Sequence, residues 1–190
     1  MSANFPHYYW DTCVFIAFLN DERAAYGSTI DHITQHLEEA KQGECKIYCS
    51  TISIAEITAG NLKNSTYGTF TEFLRDYSSA VIQITPDPVV MGLASQLRDL
   101  RYTKGNGKRK LLTPDAIHLA SAITLRDNYK VPITALHTFD DGKSKGPDGK
   151  GVPMLSIETW CEGIEEDPVA QKVITLRRDH PLHPFPRMSL

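Results

Sequence analysis

Short strand-like segments alternate with helical segments along most of this chain, and this alternation restricts the possible folds more than any other feature. The strand-like runs occupy residues 7–11, 45–50, 80–84, 132–138 and 152–157. Between the first two runs, residues 28–42 show apolar side chains at steps of three and four, and Gly43 follows as a stop signal. Such alternation predicts an α/β fold, with a central, mainly parallel sheet of about five strands flanked by helices.

The segment 111–125, LLTPDAIHLASAITL, predicts the central helix. Thr113 is a good helix cap, Pro114 suits the first helical position, and Asp115 falls in the first turn, where negative charge is favourable. An apolar stripe follows at helical spacing, formed by Ala116, Leu119, Ala120 and Ile123. A carboxylate is therefore expected at the exposed start of a helix whose body is buried.

Composition is typical of an ordinary globular protein. The net charge is −3, the hydrophobic content is 41%, and no stretch approaches the roughly 20 apolar residues of a membrane span. The first residues lack the pattern of a signal peptide and the four cysteines do not suggest a disulfide framework, so we expect a cytoplasmic protein. We predict one main domain over 1–160 and a C-terminal extension over 161–190, either docked or mobile.

Four acidic residues fall on separate strand–helix units. They are Asp11, Glu56, Asp115 and Asp140. Carboxyl ends of parallel strands meet at one edge of the sheet, and carboxylates gathered there would repel one another unless a cation bound between them. Mg²⁺ or Mn²⁺ is the natural partner, because both prefer oxygen ligands. From spacing alone, four unrelated surface acids are an equally good interpretation.

Four motifs in order resemble the PIN-domain family, and most closely its VapC-type toxins. The motifs are YYWDTCVFIAFLN, STISIAEI, LLTPDAIHLASA and LHTFDDG, spread over about residues 7–160. The resemblance implies a three-layer PIN-like fold and a Mg²⁺- or Mn²⁺-dependent endoribonuclease. The catalytic, metal-binding acids would be Asp11, Glu56, Asp115 and Asp140, with Asp141 as a substitute or supplement for the last. The resemblance also implies an RNA substrate, a cognate antitoxin protein and a homodimer.

Three further residues are candidates for substrate binding. Lys108 and Arg109 lie in the basic stretch KGNGKRK at 104–110, just before the central helix, where a phosphate-binding role competes with that of a solvated loop. Thr138 is the small polar residue that often precedes the last acid in the resembling family. Three more lysines extend the same basic track, namely Lys143, Lys145 and Lys150.

Histidines and cysteines carry weaker signals. His118 lies one turn beyond Asp115, and a structural role in the helix is favoured over that of a proton shuttle or ligand. Cys45 and Cys49 are expected to be buried thiols rather than zinc ligands. No chemical role is predicted for His180 or His183.

Two other functions remain open at this stage. One is a non-catalytic PIN-like module that binds RNA or protein. The other is a metal-dependent phosphohydrolase acting on small phosphate esters. The residues alone do not distinguish RNA from single-stranded DNA as the substrate.

Overall fold

A five-stranded parallel sheet forms the centre of the molecule, as described by a computed structural model covering residues 5–142 and 151–185. In chain order the strands are β1 (His7–Trp10), β2 (Lys46–Ser50), β3 (Val81–Ile84), β4 (Tyr102–Lys104), β5 (Gly107–Arg109), β6 (Ile133–His137) and β7 (Arg178–Asp179). The central sheet has the order β3-β2-β1-β6-β7 with every neighbouring pair parallel, whereas β4 and β5 form a separate antiparallel pair. The predicted α/β fold with about five strands is confirmed.

Helices cover both faces of this sheet. They are α1 (Thr12–Leu19), α2 (Arg23–Tyr26), α3 (Thr29–Gln42), α4 (Ile52–Glu56), α5 (Phe70–Asp76), α6 (Pro88–Asp99), α7 (Thr113–Asp127) and α8 (Pro168–Ile174). Because side chains alternate along a strand, Tyr8 and Trp10 of β1 pack with α1, α3 and α5. Tyr9, between them, packs with α6, α7 and α8 on the opposite face. The result is a three-layer arrangement with one apolar core on each side of the sheet.

The central helix α7 begins one residue earlier than its capping pattern predicts. Leu112 occupies the cap position without a side-chain hydrogen bond, and Thr113 is already helical. Asp115 nevertheless lies in the first turn, as expected. The segment after Asp11, which periodicity left open between strand and helix, forms α1.

Two predicted segments adopt a different structure. The basic stretch 104–110, predicted as a linker, contributes to the β4–β5 hairpin, in which Thr103 pairs with Lys108 and the two-residue turn begins at Gly105 with a φ of 55°. Residues 152–157, predicted as the last strand, instead enter a 3₁₀ helix at Met154–Trp160. That strand prediction is wrong because two backbone N–H groups of this segment bond to Asp140 instead of to a neighbouring strand. The Asp140 carboxylate accepts from Met154 N, and the Asp140 carbonyl accepts from Leu155 N.

The residues after 160 contribute to the same sheet. Helix α8 packs into the core beside α7, and β7 pairs with β6 as the fifth strand. A domain boundary at residue 160 stays a prediction. Within the described ranges, no helix has both the length and the apolar character needed to cross a membrane. Cys45 and Cys49 are buried free thiols, as expected.

Candidate active site

Asp11 stands at the carboxyl end of β1, where the strand gives way to α1. Its carboxylate caps that helix by accepting a 2.7 Å hydrogen bond from Thr12 N. The other carboxylate oxygen accepts from the Thr138 hydroxyl at 2.8 Å and from the Cys13 thiol at 3.0 Å. Asp11 is therefore nearly buried and fixed in orientation, since donors on two elements hold both of its oxygens.

Glu56 ends the short helix α4 and is held by two buried side chains. Its Oε2 accepts from the Thr12 hydroxyl at 2.6 Å and lies 2.9 Å from His118 Nε2. Burial alone would raise the pKa of Glu56, but the hydrogen bond and charge of His118 lower it below the usual value. Glu56 is therefore a carboxylate at neutral pH.

His118 connects two of the acids beneath the surface. Its ring is fully buried on α7, with Nε2 also 3.5 Å from Asp11 Oδ1 and Nδ1 3.1 Å from the Tyr9 hydroxyl. Burial lowers the pKa of His118, but the hydrogen bond to Glu56 and the charge of Asp11 outweigh it and raise the pKa above the ordinary value. The ring positions Glu56, and the upward shift of its pKa favours the protonated, positively charged form beside the acids.

Asp115 is the acid whose charged form is stabilised least by its surroundings. In the described part of the chain no donor forms a hydrogen bond with its carboxylate, which faces the other acids from the first turn of α7. Burial, followed by the charges of Asp11 and Asp140, raises the pKa of Asp115 to about 8. This group would hold a proton near neutral pH unless a cation took the proton's place.

Asp140 follows β6 and is fixed by a tight turn. One carboxylate oxygen accepts from Gly142 N at 3.1 Å and the other from Met154 N at 2.9 Å. The turn requires glycine, because Gly142 has a φ of 75° and a Cβ there would lie 2.9 Å from Pro153 Cβ. Burial, the largest cause, and the charges of Asp11 and Asp141 raise the pKa of Asp140.

The structure thus gathers the four predicted acids, which we call the acidic edge: Asp11, Glu56, Asp115 and Asp140. Asp115 interacts electrostatically with the three others, whereas the exposed Asp141 acts on Asp140. The four acids do not form a group whose donor atoms all lie within 4.8 Å of one another; in the described ranges such a group is formed by His36, Glu39 and His183. The oxygen-only donors and the unbalanced negative charge of the acidic edge fit a hard divalent cation.

The residues predicted to bind substrate fall into two groups. Thr138 is fully buried, and its hydroxyl donates to Asp11 while accepting from Asp140 N at 3.0 Å, so we assign it a positioning role instead of substrate contact. Lys108 is exposed on β5, whereas Arg109 stacks on Trp160 at 4.6 Å and donates to a backbone carbonyl. The predicted lysines at 143, 145 and 150 lie outside the described residues.

A basic cleft runs beside the hairpin and reaches the start of α7. Its volume is about 760 Å³, and it ends against Leu112, three residues before Asp115. Five cationic side chains line it, namely Arg98, Arg101, Lys108, Arg109 and Lys110, with Asp99 as its acidic member. Sequence reasoning found three of these cations in the basic stretch and missed the two arginines contributed by the end of α6 and the residues after it.

Other residues of the site were missed or underrated. His118 was assigned a structural role, yet it contacts Glu56 directly, and the one-turn spacing from Asp115 was the available signal. Thr12 and Cys13, which follow Asp11 in sequence, both contact the acids. Only their position next to a predicted acid pointed to them.

Together the fold and the site define an α/β protein with a cluster of carboxylates at the carboxyl edge of a parallel sheet. The family model of the PIN domain matches residues 8–145, which is most of the chain, so the protein belongs to the PIN-domain family. Comparisons with curated proteins and with solved structures gave no match. PIN domains are generally nucleases and typically use divalent metal ions, which agrees with the nature of the acidic edge.

Proposed function

We propose that this protein is a Mg²⁺- or Mn²⁺-dependent endoribonuclease that uses the acidic edge as its active site. The observation that carries the proposal is the environment of Asp115, whose pKa is raised to about 8 by burial and by its acidic neighbours. A structural cluster of acids would be relieved by a lysine or arginine within it. Here the four carboxylates would be held together by a bound cation, with Asp140 rather than Asp141 as the fourth ligand because Asp140 interacts directly with Asp115.

The protein's own residues orient this site before substrate arrives. Thr138 fixes Asp11 and the Asp140 backbone, while His118 and Thr12 fix Glu56. When bound, Mg²⁺ or Mn²⁺ would supply the activation of water and the neutralisation of charge that hydrolysis of a phosphodiester needs. The buried supporting hydrogen bonds keep the carboxylates from rearranging during the reaction.

The basic cleft supports a polyanionic substrate rather than a small phosphate ester. Its exposed Lys108 and the arginines near the end of α6 offer several contacts to successive phosphates. The cleft reaches Leu112, the cap residue of α7 and three residues before Asp115, so we place the path of the substrate from the cleft toward the start of α7. The choice of RNA over single-stranded DNA rests on the resemblance to PIN nucleases.

The finer parts of the proposal rest on that resemblance as well. They are a role as the toxin of a toxin–antitoxin pair, a cognate antitoxin segment that fills the active site, and a homodimer. Co-expression with the product of a neighbouring gene, followed by purification as a complex, tests the first two of these together. The proposed cytoplasmic location rests instead on the features of the sequence described above.

Cleavage of a mixed pool of structured RNAs tests the central proposal. The wild-type protein and Asp115→Asn are incubated with Mg²⁺ or Mn²⁺, and each reaction is repeated with EDTA. We expect cleavage only by the wild-type protein with metal present. Single-stranded DNA and a chromogenic phosphate ester serve as parallel substrates.

Each other outcome contradicts a defined part of the proposal. Cleavage that survives EDTA contradicts the metal dependence, and cleavage by Asp115→Asn contradicts the assignment of the site. Hydrolysis of the ester without RNA cleavage supports a phosphohydrolase. Absence of metal binding by calorimetry supports a non-catalytic binding module.

A further inference from the structure

A second group of ligand-type side chains lies on α3, away from the residues assigned to catalysis. His36 and Glu39 are one turn apart on this helix, and His183 reaches them from the chain after β7. Their donor atoms all lie within 4.8 Å of one another. We call this group the α3 cluster: His36, Glu39 and His183.

His36 is buried, yet hydrogen bonds from the protein do not compensate for the burial of its polar ring. The residue is 0% exposed, and neither ring nitrogen has a hydrogen-bond partner of normal geometry. A backbone group of Leu182 lies close enough to favour the protonated ring, but burial and the charge of His183 dominate and lower the pKa of His36 to about 4. The ring is therefore neutral at neutral pH, which is the form that binds a metal.

The other two members are aligned by surrounding contacts. His183 Nε2 lies 2.7 Å from Glu39 Oε2, and Gln35 Nε2 donates to Glu39 Oε1 at 3.0 Å. The backbone N–H of His183 donates to His32 Nδ1 at 2.8 Å, which fixes the chain above the helix. Both members are largely buried, with side-chain exposures of 8% for His183 and 15% for Glu39.

The composition of the α3 cluster selects the class of metal. Two imidazoles and one carboxylate suit Zn²⁺, whereas Mg²⁺ prefers oxygen ligands alone. Tetrahedral zinc with ligands at about 2.0 Å separates neighbouring ligand atoms by roughly 3.3 Å. This value lies between the 2.7 Å that separates His183 Nε2 from Glu39 Oε2 and the 4.8 Å limit within which all the donor atoms of the cluster lie. His183 would move its proton to Nδ1, at the expense of the hydrogen bond that Nδ1 accepts from Phe185 N.

We propose that His36, Glu39 and His183 form a zinc site that fastens the chain following β7 to helix α3. The site is structural, because its ligands are buried and it lies beneath a covering segment. With three protein ligands, the fourth position of tetrahedral zinc would be filled by a solvent molecule. Zinc would bind one of the two unpartnered ring nitrogens of His36 and replace the direct contact between His183 and Glu39.

Zinc titration of the full-length protein tests this proposal. Metal-free protein is titrated with Zn²⁺ against a chromogenic chelator in the Asp115→Asn background, which weakens binding at the acidic edge. The cluster is changed by His183→Ala and separately by Glu39→Gln. The matched control is His180→Ala, because His180 lies on the same segment but its ring contacts that of Phe139, outside the cluster, with 5.5 Å between the ring centroids.

We expect one zinc per chain, with affinity at least about tenfold weaker in His183→Ala and in Glu39→Gln, and unchanged in His180→Ala. Zinc should also raise the melting temperature of the control but not of His183→Ala. Cobalt substitution should give the visible absorption of tetrahedral coordination, which is lost in the same variants.

The proposal is overturned if no zinc binds in the Asp115→Asn background, or if binding is equally strong in His183→Ala and in the control. Circular dichroism of each variant establishes that it is folded before titration. Since His183 lies on a surface segment, His183→Ala provides a test even if a change at the buried His36 prevents folding. Loss of RNA cleavage is not a readout here, so failure of the zinc site leaves the proposed nuclease function untouched.

Discussion

The acidic edge and the α3 cluster both bring together side chains of the type that binds metals, but they balance their charges differently. At the acidic edge four carboxylates converge, and the pKa of Asp115 is raised to about 8. In the α3 cluster a single carboxylate faces two imidazoles, and although burial opposes it, hydrogen bonds from Gln35 and His183 lower the pKa of Glu39. In the first region the carboxylates repel one another, whereas in the second the neighbouring side chains largely offset the cost of burying the single carboxylate.

This difference indicates what each region requires from outside the chain. The acidic edge opposes folding until a cation or protons neutralise it, and groups whose pKa is perturbed in this way are typical of functional sites. The α3 cluster leaves only His36 without a partner, and it can exist without metal as a contact between helix and C-terminal segment. On the two proposals above, a metal is needed for the chemistry of the first region and would add stability to the second.

The largest expected effect separates the two regions by activity. Asp115→Asn should reduce RNA cleavage about a hundredfold or more, because it removes a proposed metal ligand. His183→Ala should leave cleavage within about twofold, since the hydrogen bonds described above for the two regions have no residue in common. Initial cleavage rates at saturating Mg²⁺ measure both. Equal losses in the two variants would show that the regions do not act separately.

The next largest effect on RNA cleavage is expected from changing His118, the buried residue that positions Glu56 in the acidic edge. His118→Ala should lower cleavage by about 10- to 100-fold, because Glu56 loses its 2.9 Å partner. His118→Gln should recover part of this activity, since its amide can reach the Nε2 position. Thr124→Val, a buried change on the same helix, controls for general destabilisation, which urea unfolding of all three variants quantifies. If Gln and Ala are equally inactive at equal stability, the positioning role is wrong.

The stored repulsion predicts how stability depends on pH. The pKa of Asp115 is raised in the folded protein, so its contribution to stability is present below about pH 4 and is lost as pH rises toward about 8. Without metal, the free energy of unfolding should decline over this window by an amount on the order of 5 kcal/mol more in wild type than in Asp115→Asn, because each unit of pKa shift corresponds to about 1.4 kcal/mol. Urea unfolding in EDTA at several pH values measures it. Parallel pH profiles would contradict the assigned repulsion.

The smallest effect is expected from a substitution in the basic cleft, which we propose as the path of the substrate to the acidic edge. Lys108→Glu should weaken RNA binding about three- to tenfold and reduce its salt dependence, because Lys108 is an exposed cation of the cleft. Lys130→Glu is the matched control, as Lys130 follows the far end of α7, roughly 20 Å from Asp115. Filter binding at several salt concentrations compares them. An identical loss in both variants would reveal only a general charge effect.

Much of the fold and of the acidic edge could be predicted from the sequence because both depend on local patterns. The periodicity of α3 ending at Gly43 and the acid that ends β1 are visible within single segments. The 3₁₀ helix at 154–160 was missed because its first N–H group bonds to Asp140, which is 14 residues distant. Strand β7 was missed because two residues are too short to show alternation.

The α3 cluster shows the same limit more clearly. His183 lies 144 residues from Glu39, so no spacing rule connects the two. His36 alone resembles any histidine on an apolar helix face. Long-range packing, rather than a local motif, creates this group, so its members come together only in the folded structure.

The last residue of β6, His137, and the residue that follows it, Thr138, contact different regions of the molecule. The ring of His137 lies 5.2 Å from that of His36 in the core below α3, whereas the next side chain, Thr138, bonds to Asp11. One peptide unit therefore borders both regions, and its backbone amide can act as a spectroscopic reporter for each. Titrating the isotopically labelled protein with Mg²⁺ and then with Zn²⁺ would show in one resonance whether a rigid strand transmits occupancy from one region to the other.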